Sequence, residues 1–270
     1  MTSDPIQTFR NNVPCNAIDP LDRAFLYGDG LFTSVRVTHG TPHLWTRHLQ
    51  RLQLGADRLK LDVDFSLLES DVFQKAKFLQ HGVLKIIVSR GVGARGYLPP
   101  QQSAVIYLQL FPSMESADVV LKPSIVSDVL TSQLGQVMPQ LAGVKTLNRL
   151  EQVLLRQELA QSRLSEGLVC DASGLIIEGV YSNCFFHVDG QWWTPPIECS
   201  GILGVMRSEI VERMQVQQIP LYLKTLHRDE IDRIEALFFC NALTQIVPVN
   251  QLKDRTLDLS AVTSFANLLF

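Results

Sequence analysis

The sequence predicts an α+β protein of two domains, and three features of the chain favour this fold class. Apolar and β-branched runs bounded by glycine or proline indicate strands in both halves. The second half has few helices between its strands, unlike the regular strand–helix alternation of a doubly wound sheet. A short polar segment after a strand, residues 113–118, is typical of an interdomain linker. We therefore predict a small N-terminal α+β domain over 1–112 and a larger, barrel-like α+β domain over 119–270.

The N-terminal domain is predicted to combine one sheet with two helices. A glycine-punctuated loop, Asp22–Gly30, precedes the first strand. Apolar residues at helical spacing predict a helix from Trp45, and Ser66 with Glu69 offers a capping box for a second helix. We expect both helices to cover one face of the sheet. The predicted strands are Leu31–Val37, Val83–Ser89 and Ala104–Phe111.

The C-terminal domain is predicted to consist mostly of strands, with two helices. The helices span Leu147–Leu159 and Val205–Met214. A hairpin over Leu168–Val188 turns at Ala172–Gly174. The other predicted strands are Val119–Val126, Leu221–Lys224, Ala236–Cys240 and Ile246–Val249.

The composition excludes several functional classes. The 270 residues carry a net charge of -3, with a pI near 6.1, so no basic field exists for nucleic acid or an anionic membrane. The 5 cysteines include no Cys-x-x-Cys pair and the 6 histidines lack metal-ligand spacing, so we expect neither disulfides nor a metal. There is no basic-then-apolar leader and no apolar run of about 20 residues, so we expect a cytoplasmic protein.

Two charged residues in apolar surroundings are candidates for chemistry. Lys145 precedes a predicted helix, and a lysine that is desolvated or placed near other cations becomes a nucleophile and base. Glu178 lies in a largely apolar strand, where its carboxylate needs a partner such as the ring nitrogen of a pyridine cofactor. A solvated surface lysine and a solvent-facing or arginine-paired glutamate are the commoner cases. Both interpretations stay open at this point.

Two further segments suit anions. Gly204 opens a predicted helix, whose first N–H groups can bind a phosphate with the helix dipole behind them, and Arg47 is a candidate phosphate partner. A ligand-free turn and a surface arginine are the alternatives. Residues 89–97 lack the Lys-Ser/Thr ending of a P-loop. Their Arg90, Arg95 and Tyr97 instead suit a carboxylated substrate, with a solvated turn as the competing interpretation.

Taken in order, these segments resemble the fold type IV family of pyridoxal-phosphate enzymes. The family includes branched-chain aminotransferases, D-amino acid aminotransferases and 4-amino-4-deoxychorismate lyases. The resemblance covers nearly the whole chain and implies a small α+β sandwich domain followed by a larger barrel-like domain. The matching segments are Asp22-Arg23, Tyr27–Phe32, Arg47, Lys145–Asn148, Glu178, Ser182-Asn183, Gly204–Arg207, Asn241-Ala242 and Pro248-Val249.

The resemblance implies a role for each candidate residue. Lys145, in the larger domain, would hold pyridoxal 5′-phosphate as a Schiff base and act as the catalytic base. Glu178 would pair with the pyridine nitrogen of the cofactor. The phosphate would be bound by Arg47, by Gly204 with the backbone of Val205 and Met206, and at a further position by Asn241 and Ala242, where relatives often have serine or threonine.

Within the family, three stretches most resemble the aminodeoxychorismate lyases: residues 89–97, 145–152 and 240–243. Branched-chain aminotransferases usually carry tyrosine where this chain has Arg149, which favours a lyase. The resemblance thus implies a homodimer that converts 4-amino-4-deoxychorismate to 4-aminobenzoate and pyruvate in folate biosynthesis, with Arg95, Tyr97 and Arg149 toward the substrate. An aminotransferase of branched-chain or D-amino acids and a non-catalytic pyridoxal-phosphate-binding protein are the alternatives.

The assignment of Lys145 predicts a chemical label. We expect the purified protein to be yellow and borohydride to attach the cofactor irreversibly to Lys145, because reduction converts a Schiff base to a stable amine. Peptide mass mapping locates the label. Lys145→Ala should abolish turnover, because it removes both anchor and base. A label on another lysine, or on none, would contradict the assignment.

Overall fold

The computed structural model describes residues 7–113 and 120–270. The chain divides into a first unit, Met1–Ala117 with Val144–Asn148, and a second unit, Asp118–Gly143 with Arg149–Phe270. Apart from Ser113, the predicted linker lies outside the described residues. Both units mix helices with sheet, which confirms the α+β class. None of the helices in the described part of the chain is long and apolar enough to cross a membrane.

The first unit contains one six-stranded sheet in the order β2-β1-β6-β5-β3-β4. All of its neighbouring strands are antiparallel. The elements are β1 (Gln7–Arg10), β2 (Val13–Pro14), α1 (Arg23–Tyr27), β3 (Gly30–Thr38), β4 (Thr41–Pro42), α2 (Trp45–Leu59), α3 (Phe65–Leu79), β5 (Gly82–Ser89) and β6 (Val105–Pro112). The three strands and two helices predicted here are therefore confirmed.

The two faces of this sheet differ. Leu31, Val35 and Ile86 belong to a buried apolar core that they share with residues of α2 and α3. Successive strand residues point to opposite faces, so Phe32 and Lys85 lie on the face away from the helices. The start of α3 differs from the prediction. Its cap is the Asp64 carboxylate, which accepts a hydrogen bond from the backbone N–H of Leu67 at 2.9 Å, and Ser66 lies within the first turn.

The segment Val144–Asn148, called here the lysine segment, pairs with the edge of β3. The Phe32 N–H donates to the Lys145 carbonyl at 3.1 Å, and the Leu147 N–H donates to the Gly30 carbonyl at 3.1 Å. A side chain at Gly30 would collide with the Val88 carbonyl oxygen and the Leu147 side chain, so this pairing requires glycine. The lysine segment therefore groups with the first unit, whereas we expected it in the larger domain. The helix expected from Leu147 begins only at Leu150.

The second unit contains a three-stranded sheet, β10-β9-β8, and a seven-stranded sheet in the order β13-β12-β11-β14-β15-β16, with β7 paired to β15. The elements are β7 (Ile125–Ser127), β8 (Val129–Leu134), α4 (Leu150–Gln161), β9 (Leu168–Asp171), β10 (Ile176–Gly179), β11 (Asn183–Val188), β12 (Gln191–Thr194), α5 (Val205–Val216), β13 (Leu221–Leu223), a 3-10 helix (Arg228–Arg233), β14 (Ile234–Asn241), β15 (Gln245–Leu252), β16 (Arg255–Thr256) and α6 (Leu259–Leu269). The predicted hairpin turn at Ala172–Gly174, between β9 and β10, and the predicted helix from Val205 are confirmed. Among the observed elements, β8, β12 and α6 were not predicted.

The turn between β10 and β11 is built around a buried carboxylate, Glu166, which the sequence patterns did not reveal. Glu166 is 2% exposed, and it accepts backbone hydrogen bonds from Gly167 at 3.1 Å and Val180 at 2.7 Å. Burial raises the pKa of Glu166 to about 7, although these bonds and one from the Ser182 hydroxyl oppose the shift. Glu166 precedes β9 in an irregular stretch, so no strand or helix periodicity identified it.

Glu166 predicts a pH dependence of stability. Its folded pKa lies above its ordinary value of 4.5, so the folded state binds more protons than the unfolded state between pH 4.5 and 7 and loses stability as the pH rises through that range. From pH 5 to pH 8, Glu166→Gln should gain roughly 2–3 kcal/mol of unfolding free energy relative to wild type. Urea unfolding measures this difference, with the exposed Glu198→Gln as control. A difference that does not vary with pH would refute the role of Glu166.

Candidate active site

Lys145 is half-buried on the first unit, beside the first residues of β3. Its Nζ is 4.4 Å from the centre of the Phe32 ring. The backbone on both sides of Lys145 is held by hydrogen bonds to β3, so the side chain starts from a fixed position. A partly desolvated amine on rigid backbone is suited to act as a nucleophile and base.

The loop before β3 carries an ion-pair cluster that corrects one expectation. Asp29 accepts hydrogen bonds from Arg23 Nε at 2.8 Å and from Arg90 Nη2 at 3.0 Å. Burial raises the pKa of Asp29, but the two guanidinium groups outweigh it and hold the pKa below its ordinary value. Arg90 also donates to the carbonyls of Leu59 and Lys60, both at 2.7 Å, and is only 7% exposed. Arg90 is therefore a structural residue rather than a substrate ligand.

Arg95 and Tyr97 lie in the loop that follows Arg90, and both side chains are exposed, Tyr97 at 89%. Arg23 holds this loop by donating to the Gly96 carbonyl at 2.8 Å and the Tyr97 carbonyl at 3.2 Å. The Gly96 N–H in turn donates to the Tyr27 hydroxyl at 3.1 Å. The backbone of the loop is thus anchored, and the two side chains expected to meet substrate point away from the first unit's core.

Helix α2 carries Arg47, Arg51 and Arg58, and the structure distinguishes the first two. Arg47 is half-buried and lies 3.4 Å from the Gln50 side chain. Arg51 donates to the Thr33 hydroxyl, which also bonds His48 Nδ1 at 2.6 Å. No carboxylate among the described residues pairs with Arg51, and its Nε is buried without a hydrogen-bond partner.

This arrangement leaves a positive charge for an anion. Burial lowers the pKa of Arg51 to about 10, and burial together with the charge of Arg51 lowers the pKa of His48 well below 6.5. His48 is therefore neutral near pH 7, and Arg51 carries the charge. Arg51 is half-buried with its Nε fully enclosed, and a cation so desolvated without a carboxylate is costly unless an anion binds it. The sequence analysis missed Arg51 because Arg47 and Arg51 are one helical turn apart and equally basic.

The second unit holds the predicted carboxylate. Glu178 lies on β10, is 4% exposed, and accepts a hydrogen bond from the Ile202 N–H at 2.8 Å. The charge of Glu178 acts on Arg149, which precedes α4. Burial lowers the pKa of Arg149, while Glu178 and Glu151 act in the opposite direction. Glu178 is therefore a buried carboxylate with one backbone donor and with Arg149 within electrostatic range.

The start of α5 fits an anion. Gly204 is the residue before the helix, and no side chain caps the N–H groups of Val205 and Met206. A Cβ at Gly204 would collide with the side-chain oxygen of Asn183, whose amide also donates to the Ile202 carbonyl at 2.9 Å. This glycine therefore keeps the loop close to β11 and leaves the first helical turn without a side-chain acceptor.

A turn after β14 contains the last predicted residues. Asn241 accepts hydrogen bonds from the N–H groups of Leu243 at 2.9 Å and Thr244 at 2.8 Å, and it donates to the Ser182 hydroxyl at 3.1 Å. Asn241 thus shapes the turn around Ala242. Within the described part of the chain the Thr244 hydroxyl is buried with no partner. Thr244 therefore provides a hydroxyl close to Asn241 and Ala242, where relatives often have serine or threonine.

Comparison with known proteins identifies the family. The model of amino-transferase class IV matches residues 30–252. The chain is 26% identical over 242 residues to an aminodeoxychorismate lyase from Vibrio harveyi, covering 89% of each protein. A solved 4-amino-4-deoxychorismate lyase from Pseudomonas aeruginosa shares 33% identity over 97% of both chains, with a TM-score of 0.86. The PLP-bound form of a hypothetical aminotransferase from Mycobacterium tuberculosis has a TM-score of 0.81 at 20% identity over 97% of both chains.

The matched span contains Lys145, Glu178 and the loop before α5. Enzymes of this family depend on pyridoxal 5′-phosphate. Most of the chain is covered, so the similarity is not confined to one motif. The chain belongs to the amino-transferase class IV family of pyridoxal-phosphate-dependent enzymes.

Proposed function

We propose that this enzyme is an aminodeoxychorismate lyase, which converts 4-amino-4-deoxychorismate to 4-aminobenzoate and pyruvate. The observation that carries this proposal is the similarity to a solved lyase over nearly the whole of both chains. Arg149 directly follows the lysine segment and supports the same choice, since branched-chain aminotransferases usually have tyrosine there. The aminotransferase alternative shares the cofactor residues and differs in the substrate.

The chain's residues fit pyridoxal phosphate at three points. Arg51 provides a half-buried guanidinium, with an enclosed Nε and no carboxylate among the described residues, and α5 provides an uncapped first turn. Both features are suited to a phosphate. Glu178 provides a buried carboxylate for a protonated ring nitrogen. We infer that Arg51, rather than Arg47, supplies the charged phosphate contact, with Asn241 and Thr244 shaping a further contact at Ala242.

The chemistry follows from the roles of two residues. When bound, pyridoxal phosphate supplies an electron sink conjugated with the substrate amine. Lys145 would hold the cofactor, and as a free amine it would take the proton from the carbon that carries the substrate nitrogen. Glu178 keeps the ring nitrogen protonated. As this proton leaves, the bond between the ring and the enolpyruvyl oxygen would break and a ring double bond would form; enolpyruvate would depart and take up a proton to become pyruvate. The remaining ring is aromatic, which makes the elimination favourable.

The substrate carries two carboxylates, and three candidate residues could bind them. Arg95 and Tyr97 are exposed on the first unit, and Arg149 is half-buried on the second. Planar guanidinium groups bind carboxylates with two parallel hydrogen bonds. We propose Arg95 and Arg149 as carboxylate ligands and Tyr97 as a contact. The homodimer and the cytoplasmic location expected from the sequence remain predictions.

Measuring cofactor affinity tests whether Arg51 or Arg47 binds the phosphate. Arg51→Gln should weaken pyridoxal-phosphate binding by roughly 10- to 100-fold, since a charge-assisted hydrogen bond contributes about 1.5–3 kcal/mol. Titration of the cofactor-free protein by fluorescence quenching gives the dissociation constant. Arg47→Gln, one turn away on the same helix, should change it less than about threefold. The reverse ranking would return the phosphate to Arg47.

The lyase assignment predicts specific products. Incubating the holoenzyme with 4-amino-4-deoxychorismate should release 4-aminobenzoate and pyruvate in equal amounts, because one elimination forms both. Chromatography with fluorescence detection measures the first, and coupling to lactate dehydrogenase the second. No amino-group exchange is expected between branched-chain or D-amino acids and 2-oxoglutarate. Exchange without 4-aminobenzoate release would establish the aminotransferase instead.

A further inference from the structure

Three polar side chains of the first unit, Arg51, Thr33 and His48, are joined by consecutive hydrogen bonds. Arg51 Nη2 donates to the Thr33 hydroxyl, and the same hydroxyl lies 2.6 Å from His48 Nδ1. Thr33 lies on β3, whereas His48 and Arg51 lie three residues apart on one face of α2. Thr33 is 0% and His48 is 1% exposed, so these bonds run from the half-buried Arg51 into the core of the unit.

The chemistry of the three groups fixes the direction of each hydrogen bond. A guanidinium group can only donate, and a threonine hydroxyl has one hydrogen and two lone pairs. The Thr33 oxygen therefore accepts from Arg51, and its hydrogen points to His48 Nδ1. Nδ1 must then be the unprotonated nitrogen of a neutral ring. This agrees with the pKa of His48, which burial and the charge of Arg51 hold well below 6.5.

Thr33 and His48 orient the charge of Arg51 without neutralising it. Both partners are uncharged, and no carboxylate in the described part of the chain pairs with Arg51. The guanidinium is nevertheless held in place, because its Nη2 is tied to β3 and its Nε is enclosed by protein. A mobile arginine loses rotamer freedom when it binds an anion, whereas one that is already held loses less. Arg51 is therefore preorganised for an anionic ligand.

The apolar surroundings of Thr33 and His48 support this interpretation. Val35, on the same face of β3, and Leu52, one helical turn after His48, both belong to the buried apolar core. Apolar side chains in place of Thr33 and His48 would extend that core and avoid the cost of burying a hydroxyl and an imidazole. The feature that requires a polar pair at these two positions is Arg51.

We infer that Thr33 and His48 are positioning residues for the cofactor phosphate, because they hold the Arg51 guanidinium in the orientation that binds it. The inference rests on the contact between Arg51 and the phosphate given under the proposed function, and it is independent of the substrate. It implies a specificity. The Thr33–His48 pair strengthens the binding of phosphorylated forms of the cofactor and leaves unphosphorylated forms unaffected, because only the phosphate meets Arg51.

The test titrates the full-length, cofactor-free protein with pyridoxamine 5′-phosphate and with pyridoxamine. These two ligands differ only in the phosphate, and as amines they form no Schiff base with Lys145. Thr33→Val keeps the shape of the side chain without the hydroxyl. It should raise the dissociation constant of the phosphorylated ligand roughly 3- to 10-fold by calorimetry, and that of pyridoxamine less than about twofold. Thr38→Val is the matched control, because Thr38 is also a buried threonine of β3, and it should change neither constant.

Conservative variants separate positioning from packing. Thr33→Ser keeps the hydroxyl and His48→Asn keeps an acceptor near the place of Nδ1, so both should retain most of the affinity for the phosphorylated ligand. His48→Leu removes the acceptor and should behave like Thr33→Val. In an Arg51→Gln background, Thr33→Val should have an effect below about twofold, because the pair acts only through Arg51. In the holoenzyme, Thr33→Val should shift the phosphorus NMR resonance of the cofactor, and Thr38→Val should not.

Equal losses for both ligands in Thr33→Val and His48→Leu would indicate a general packing defect and overturn the inference. Unchanged affinity for the phosphorylated ligand in these two variants, together with weaker binding in Arg51→Gln, would overturn it as well. If Arg51→Gln itself leaves the affinity unchanged, the phosphate assignment is wrong and the inference with it. No substrate takes part in these titrations, so a protein that discriminates between the ligands as expected but releases no 4-aminobenzoate would refute the lyase assignment alone.

Discussion

The position of the Lys145 amine depends on two backbone hydrogen bonds between β3 and the lysine segment, Val144–Asn148. These bonds hold the carbonyl of Lys145 and the N–H of Leu147, so the lysine side chain leaves from backbone that is fixed on both sides. They are possible only because Gly30 has no side chain to collide with Val88 and Leu147. The loop that leads to Gly30 is in turn fixed by Asp29 between Arg23 and Arg90. The ion-pair cluster therefore fixes the strand against which Lys145 is held.

The buried charges of the chain fall into two groups, according to what neutralises them. Asp29 is satisfied by two arginines, and Glu166 is satisfied by backbone N–H groups and a hydroxyl. Both are complete within the protein and act on its structure. Arg51 has no carboxylate among the described residues, and it lies on the first unit next to Thr33 of β3. Because a partly desolvated charge without a counter-charge is costly, such a residue indicates where an anionic ligand binds. We assign Arg51 to the cofactor phosphate on this basis.

The sequence predicted the regular elements best and the contacts between distant residues least. Strands such as β3, which is rich in apolar and β-branched residues, lie within one residue of the prediction at each end. The start of α4 was placed too early, because Thr146 and Leu147 pair with β3 instead of joining the helix. Arg90 was read as a substrate residue, because its partner Asp29 lies 61 positions earlier in the chain.

By itself, the sequence determined the fold class and the family, and it predicted Lys145 and Glu178 as the residues that carry the chemistry. These depend on the order of short motifs and on local periodicity, which the chain displays directly. Only the tertiary structure decided which charged residues are neutralised within the protein. Arg47 and Arg51 are alike in type and lie one helical turn apart, yet only Arg51 meets Thr33 and His48. Burial and charge pairing arise between residues far apart in the sequence, so no local pattern can report them.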